Sequence, residues 1–300
     1  MTERAASVVA IGGGHGLAMT LRAVRTYASE VTAIVSVADD GGSTGRLRRD
    51  LGVLGVGDLR KCLVALADTD EDEPVWAKAF EHRYAAGELE GHALGNLILV
   101  GLAEVTGDWE QAVAIAGRVL GTVGRVLPAT SEPVVLKAEV DGGRVEGQVA
   151  VQNSTERIRR VALVPPDAAS PAAVAEAIAS ADQIVLAPGS LFTSLLPTLC
   201  VRAVQTALAA TTAPIVQVVN LAPQLPETEG LDATDHLRSV LEYGIRVDQL
   251  VVHSGSALAV DSVAIGALGV HLVSADVARP DVSAHAPAKL ASVLAALLES

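Results

Sequence analysis

Apolar, β-branched runs recur along the chain, and most of them end in glycine or a carboxylate before a segment of helical period. Ser7 to Ile11 (SVVAI) stops at Gly12-Gly13-Gly14-His15-Gly16, after which Leu17, Leu21 and Val24 share a helical face. Val31 to Val37 (VTAIVSV) runs the same way into Asp39-Asp40-Gly41-Gly42-Ser43-Thr44-Gly45-Arg46. Two strand–turn–helix units in succession predict a parallel, doubly wound α/β sheet. Gly57-Asp58 precedes Leu59, Leu63 and Leu66, which makes Asp58 a candidate helix N-cap with Arg60 and Lys61 in the first turn. Cations there oppose the helix dipole, so they mark either an anion beside the helix or an ordinary solvated face.

Residues 134–166 behave differently: VVLKAEV, an Asp141-Gly142-Gly143 turn, RVEGQVAVQ and RIRRVALV read as a β-hairpin with a further strand. This is a small antiparallel β insertion in the α/β frame, a flap, edge sheet or dimer contact to which the pattern assigns no chemistry. The α/β rhythm then returns. Ser170 and Pro171 open an alanine-rich helix to Ala181 as N-cap and first residue. Strands are expected at Gln183 to Ala187 and Ile215 to Val219, and a helical run after Asp232, Thr234, Asp235 and His236. Leu250 to Val252 is the last clear strand. With no repeat beyond the βα rhythm, residues 1–300 read as a single domain carrying the insertion at about 134–166.

Composition narrows the classes. Of 300 residues 50% are hydrophobic and 19% charged, which argues against disorder, coiled coil and low-complexity scaffolds. Lys+Arg 22 against Asp+Glu 35 leaves −13, a charge that repels nucleic acid and anionic membranes. A phosphate ligand would therefore be held by local backbone N–H groups and a few placed arginines. Cys62 and Cys200 sit in apolar stretches without Cys-x-x-Cys spacing, as reduced thiols do. Met1 to Ser7, with Glu3 and Arg4, lacks a signal-peptide pattern, so a cytoplasmic protein is expected. Between Asp182 and Glu227 the sole charge is Arg202, but Pro188, Gly189, Pro197, Pro214 and Pro223 point to buried strands and a helix rather than membrane insertion.

Four segments carry candidate chemistry. Gly12 and Gly14 match the start of a dinucleotide fingerprint, but Leu17 replaces its third glycine, which weakens an NAD assignment. The glycines still allow close approach of a phosphate to a helix N-terminus; without a ligand they form a tight turn. Asp39 and Asp40, followed by Gly41, Gly42, Ser43 and Gly45, occupy a strand end, where open α/β sheets place ligands. These carboxylates would bind a ribose hydroxyl, hold Mg²⁺ against a diphosphate or act as general base; otherwise they cap helices. Arg46 is the candidate diphosphate clamp, with Arg48 and Arg49 on a solvated face. His92 and Asn96, framed by glycines, are odd choices for the start of an apolar helix, although a lone His is often structural. Pro188-Gly189-Ser190 to Ser194 offers hydroxyls at another strand end, but it is not G-x-S-x-G and implies no serine hydrolase. The seven His show no metal-ligand spacing, so no zinc is expected.

The stretches IGGGHGL (11–17), VADDGGSTGRLR (37–48), GDLRKCLVALAD (57–68), GHALGNL (91–97), APGSLFTSLLP (187–197) and NLAPQLPET with TDHL (220–237) together carry a resemblance. The sequence resembles the YvcK-like gluconeogenesis-factor family, within the larger group that contains the 2-phospho-L-lactate transferase CofD. The resemblance implies a Rossmann-like fold and a cytoplasmic protein that binds UDP-sugars such as UDP-N-acetylglucosamine. It also implies a role in cell shape and envelope synthesis on gluconeogenic carbon, with no reaction firmly attached. On this reading Gly12, Gly13, Gly14, His15, Gly16, Pro188, Gly189, Ser190 and Ser194 take the diphosphate, and Asp39 or Asp40 takes a ribose hydroxyl or Mg²⁺. Gly41, Gly42, Ser43 and Gly45 complete the second loop, Arg46 and Arg60 supply charge beside Asp58, and His92, Asn96 and Asn220 orient the remaining polar groups. The expected partners are the nucleotide sugar, a second copy of the chain and envelope-synthesis proteins.

Some positions depart from that family. His15 stands where many relatives carry Thr, Lys61 where Asn is usual, and LAPQLPET replaces MTQPGET. Ala284 rather than Arg precedes His285, leaving Arg279 as the substitute cation. The alternative is a Mg²⁺-dependent transferase acting on a nucleotide-diphosphate donor, with Asp40 or His92 as general base. Leu17-Ala18-Met19, where the transferase branch has a Lys, and the absence of its Asn-Thr-Gly-Asp-Asp wording favour a non-enzymatic regulator.

Overall fold

The two apolar runs that open the chain, β1 (Ser7–Gly12) and β2 (Glu30–Val35), pair in parallel from Ser7 opposite Glu30 to Gly12 opposite Val35. In the computed structural model, which describes residues 6–67 and 75–298, β3 (Arg125–Pro128) lies beside β2. On the other side of β1 follow β7 (Gln183–Leu186), β8 (Ile215–Val218), β9 (Gln249–His253) and β10 (His271–Ala275), giving the order β10-β9-β8-β7-β1-β2-β3. All pairings are parallel. The central strands are buried on both faces, which is why they read as unbroken apolar runs rather than alternating ones. Residues 1–5 and Asp68, on which part of the sequence reading fell, lie outside the described residues.

Helices α1 (Gly14–Val24), α2 (Gly42–Leu51), α3 (Gly57–Leu66), α4 (Val75–Glu81), α5 (Leu94–Thr106) and α6 (Trp109–Leu120) are spread between β1 and β3. The insertion consists of β4 (Val135–Val140), β5 (Gly143–Glu146), α7 (Gln148–Gln152) and β6 (Ile158–Val164), its strands forming an antiparallel sheet in the order β5-β4-β6. The remaining helices are α8 (Ala172–Ser180), α9 (Leu196–Leu199), α10 (Arg202–Ala210), α11 (Ala233–Leu241), α12 (Ser262–Ala267) and α13 (Pro287–Leu298), with a π-helical turn, Leu191–Leu195, leading into α9. The sheet grows from β1 toward β3 and then, after the insertion, from β7 toward β10. The C-terminal ends of β1 and β7 therefore form the topological switch point, the place where such sheets leave a crevice.

Four expectations need correcting. The strand read through 144–152 ends at Glu146, because Gly147, at φ +97°, turns the chain into α7. Asp58 lies inside the first turn of α3 rather than at its N-cap, which is Val56. Pro171 is the N-cap of α8, and the buried Ser170 hydroxyl caps nothing. Leu250 to Val252 is not the last strand: β10 follows, its signal diluted at the sheet edge because Leu272 and Val273 are only half-buried. The apolar stretch after Asp182 divides as expected among β7, α9, α10 and β8. Among the described residues no single helix is long and apolar enough to cross a membrane, although Leu191–Leu199 and Arg202–Ala210 form a bent pair of that length and composition. Both cysteines are free.

Candidate functional site

A cavity of about 310 Å³ opens at the switch point, between the loops that follow β1 and β7. The two loops touch backbone to backbone. A Cβ at Gly16 would come 1.8 Å from the Pro188 carbonyl oxygen, so no side chain fits there. The floor is the N-terminus of α1, which has neither a side-chain cap nor an acidic residue in its first turn. The N-terminus of α2, entered through Gly41 at the cavity wall, is uncapped in the same way. Backbone N–H groups and the positive dipole end of α1 thus meet this space, while α2 reaches it only through its N-cap, Gly41.

Charged groups stand on one wall. Asp39 Oδ1 accepts from the Gly41 N–H at 3.0 Å, while burial first and the nearby Asp58 carboxylate second push its pKa up. Asp58 leans over Gly13, where a Cβ would meet its Oδ2 at 2.6 Å, and accepts from Lys61 Nζ at 3.0 Å. Lys61 keeps 24% of its side chain exposed. Partial burial, with Lys61 as the next cause, holds the His15 imidazole below its usual range. Among the described residues no three His, Cys, Asp or Glu side chains converge as a metal site. The carboxylates that line the cavity are Asp39 and Asp58, a pair that could hold Mg²⁺ together with ligand phosphates.

Asp40 points elsewhere. Its two oxygens accept the Gln148 and Val149 N–H groups at 2.8 and 2.9 Å, clasping the N-terminus of α7. The insertion, to which the sequence pattern assigns no chemistry, therefore reaches over the cavity and lines it with Gln148, Val149 and Gln152. On the far side Gln148 Nε2 donates to Thr193 Oγ1 at 3.2 Å, and the Thr193 and Ser190 hydroxyls are hydrogen-bonded. Ser190 in turn donates to the buried Glu227 carboxylate at 2.6 Å. Burial raises the pKa of Glu227, offset by the Ser190 hydroxyl and the Phe192 N–H. Ser190 lines the cavity, but its proton is already donated; Ser194 lines it beside Gly13. Asn220 is outside the cavity and shapes it indirectly, accepting the Gly189 N–H at 2.6 Å and donating to the Gly189 carbonyl at 2.8 Å.

The remaining predicted residues form a second, separate network. Arg60 is buried, donates to Asn96 Oδ1 at 3.0 Å and pairs with Glu81, so it does not face the cavity as its neighbour Lys61 does. Asn96 donates to Ser43 Oγ at 3.1 Å, and Ser43 meets His92 Nδ1 at the same distance. Burial, then Arg46, lowers the His92 pKa. Arg46 donates to the Glu90 carbonyl, stapling a loop rather than clamping the cavity. Arg48, expected on a solvated face, donates to the carbonyls of Ala38, Asp39 and Val134; Arg49 is exposed. Gly12, Gly42 and Gly45 serve the backbone: the Gly12 carbonyl accepts from Ser36 N–H at 2.8 Å, Gly42 sits in the first turn of α2 at φ +46°, and a Cβ at Gly45 would meet the Asp40 carbonyl at 1.9 Å. Across Gly16 and Gly189 the cavity adjoins a groove of about 310 Å³ lined by His15, Met19, Pro188, Asn220, Val282 and His285 among others. Burial drives the His285 pKa down to about 4. Arg279 is exposed and lines neither space.

Sequence reasoning named Lys61 with Arg60 as a cation marking either an anion or a solvated face, without placing it in the site, and missed Gln148, Gln152, Thr193, Gln224 and Glu227. Thr193, Gln224 and Glu227 lie in motifs already singled out; Gln148 and Gln152 carried no such signal.

The family model described as "2-phospho-L-lactate transferase CofD" matches residues 8–281. The chain belongs to this family. Within the CofD family it is 42% identical, over 252 residues, to a protein called "Gluconeogenesis factor" from Halalkalibacterium halodurans, covering 82% of this chain and 77% of that one. A Nostoc relative is 41% identical over 314 residues, 97% of this chain and 68% of that protein. A crystal structure of a UPF0052 family member from Bacillus halodurans superposes with a TM-score of 0.89 at 35% identity, covering 97% of this chain and 99% of that one. The span matched by the CofD family includes every residue that lines the cavity, the insertion among them.

Proposed function

We propose that this protein is a nucleotide-sugar-binding gluconeogenesis factor, with a UDP-sugar such as UDP-N-acetylglucosamine as its ligand. Its role would lie in cell shape and envelope synthesis during growth on gluconeogenic carbon, in the cytoplasm, with envelope-synthesis proteins and a second copy of the chain as candidate partners. The observation that carries this reading is the uncapped N-terminus of α1, which forms the floor of the switch-point cavity beside Lys61. A diphosphate suits that arrangement, because backbone donors and dipole ends act at short range against a net charge of −13. Lys61 adds a mobile point charge. Asp39 and Asp58 would take a ribose hydroxyl or a Mg²⁺ that also binds the phosphates.

A second reading, a transferase acting on a nucleotide-diphosphate donor, is favoured by Asp39. A buried carboxylate whose pKa is pushed up beside Asp58 has the character of a general base. His92 and Asp40, the bases suggested by the sequence, are engaged in structural hydrogen bonds instead. Melting temperatures with UDP-N-acetylglucosamine, UDP-glucose, GDP, NAD and buffer, each with and without Mg²⁺, test both, since binding to the native state raises stability. A rise selective for UDP-sugars is expected. A rise only with GDP and Mg²⁺ would transfer the assignment to the transferase, and no rise with any nucleotide would overturn both.

A further inference from the structure

The cavity is also lined by neutral carboxamides: Gln148 and Gln152 from α7, and Gln224 from the segment after β8. Gln148 Nε2 donates to Thr193 and, at 3.4 Å, to Gln152 Oε1; Gln224 Oε1 accepts from Asn220 at 3.5 Å. One end of each carboxamide is thereby oriented. Gln148 Oε1, Gln152 Nε2 and Gln224 Nε2 keep hydrogen-bonding capacity with no partner among the described residues. Asp40 fixes α7 through its backbone, and Gln148 adds a second hold through Thr193, whereas the Gln152 side chain holds no other element among the described residues.

We propose that Gln148 and Gln152, with Gln224 facing them, read the sugar of the bound nucleotide sugar, so that the antiparallel insertion is the element that selects which sugar is taken. This rests on the UDP-sugar reading. A carboxamide offers a donor and an acceptor without charge, which matches a hydroxyl or an N-acetyl group, whereas the N-terminus of α1 and Lys61 match the diphosphate. The anion-binding floor is the N-terminus of α1, and the carboxamides come from the insertion and from the segment after β8. Asp40 is then a positioning residue, acting on the ligand through α7. Because α7 is held on both flanks, by Asp40 and through Thr193, Ser190 and Glu227, the Gln148 side chain is presented in advance of binding.

The test is calorimetry of UDP-N-acetylglucosamine and of UDP, which lacks the sugar, on the parent and on Gln148→Met and Gln152→Met, each repeated as the Ala variant. Met keeps the length and helix preference while removing the hydrogen bonds. The expected result is a loss of about tenfold in affinity for UDP-N-acetylglucosamine, with UDP within about twofold of the parent. Equal weakening of both ligands, or no weakening of either, would overturn the sugar role while leaving UDP-sugar binding intact. If the parent itself binds neither ligand, the UDP-sugar reading fails and this inference with it.

Discussion

Arg60 and Lys61 are neighbours on α3, yet they belong to opposite kinds of polar structure. Around Arg60 the groups answer one another: Asn96, Ser43 and His92 form a buried set, and the exposed Glu81 pairs with Arg60 from the surface. Around Lys61 they do not, since Asp39 and Asp58 repel each other across one lysine, beside the uncapped N-terminus of α1. A closed network stabilises the scaffold; an incomplete one is completed by something else. Arg60→Met should cost about 3 kcal/mol and lower the melting temperature by roughly 5–10 °C, leaving buried Asn96 without its donor. UDP-sugar affinity of the folded fraction should be unchanged. Lys61→Met should do the reverse, with a melting temperature within about 1 °C and affinity down about tenfold. Calorimetric melting and titration of both variants decide the matter, and an exchange of the two outcomes would break the distinction.

A smaller effect divides the adjacent aspartates. Asp40→Ala removes the acceptor of two α7 N–H groups at a partly exposed site and should cost about 2 kcal/mol. The Gln148 and Val149 amides should then exchange hydrogen faster, a change that Asp39→Ala should not produce. Unaltered protection in Asp40→Ala would mean that the insertion is held by its own sheet and not by the clasp.

These pairs also show what the sequence could convey. The α/β frame was legible because each central strand is a contiguous apolar run closed by a turn, and such signals are local. So were Gly13 to Gly16, Asp39, Gly41, Asp58, Gly189, Ser190 and Ser194, which the topology brings to one cavity because they end β1 and β7, follow β2, or begin α3. What local signals cannot carry is direction. Asp39 and Asp40 are indistinguishable in the chain, and so are the cations of Arg60-Lys61; the path of the loop after β2 decides the first pair, and a turn of about 100° along α3 decides which cation faces the cavity. The insertion was legible as a hairpin and illegible as a wall of the site, because its contact with Asp40 spans 108 residues for Gln148.

The finest distinction concerns Asp39 itself. Burial and Asp58 raise its pKa from the ordinary 3.8, so folding binds protons more tightly at this group than unfolding does. Its contribution to stability is therefore fully present below 3.8 and is lost as the pH rises through the higher folded value. At neutral pH the charged side chain is a cost, and Asp39→Asn should melt slightly above the parent, by an amount within about 1 kcal/mol. Scans from pH 7 downward should show the two curves converging toward 3.8. No comparable gain is expected for Asp40→Asn, whose parent carboxylate is already matched by two N–H donors. If Asp39→Asn were instead less stable at neutral pH, Asp39 would belong with the closed network and the cavity would lose its incomplete wall. A gain in stability coupled to weaker nucleotide binding is what a carboxylate kept for a ligand should show, because the repulsion between Asp39 and Asp58 is what a Mg²⁺ or a ribose hydroxyl would relieve.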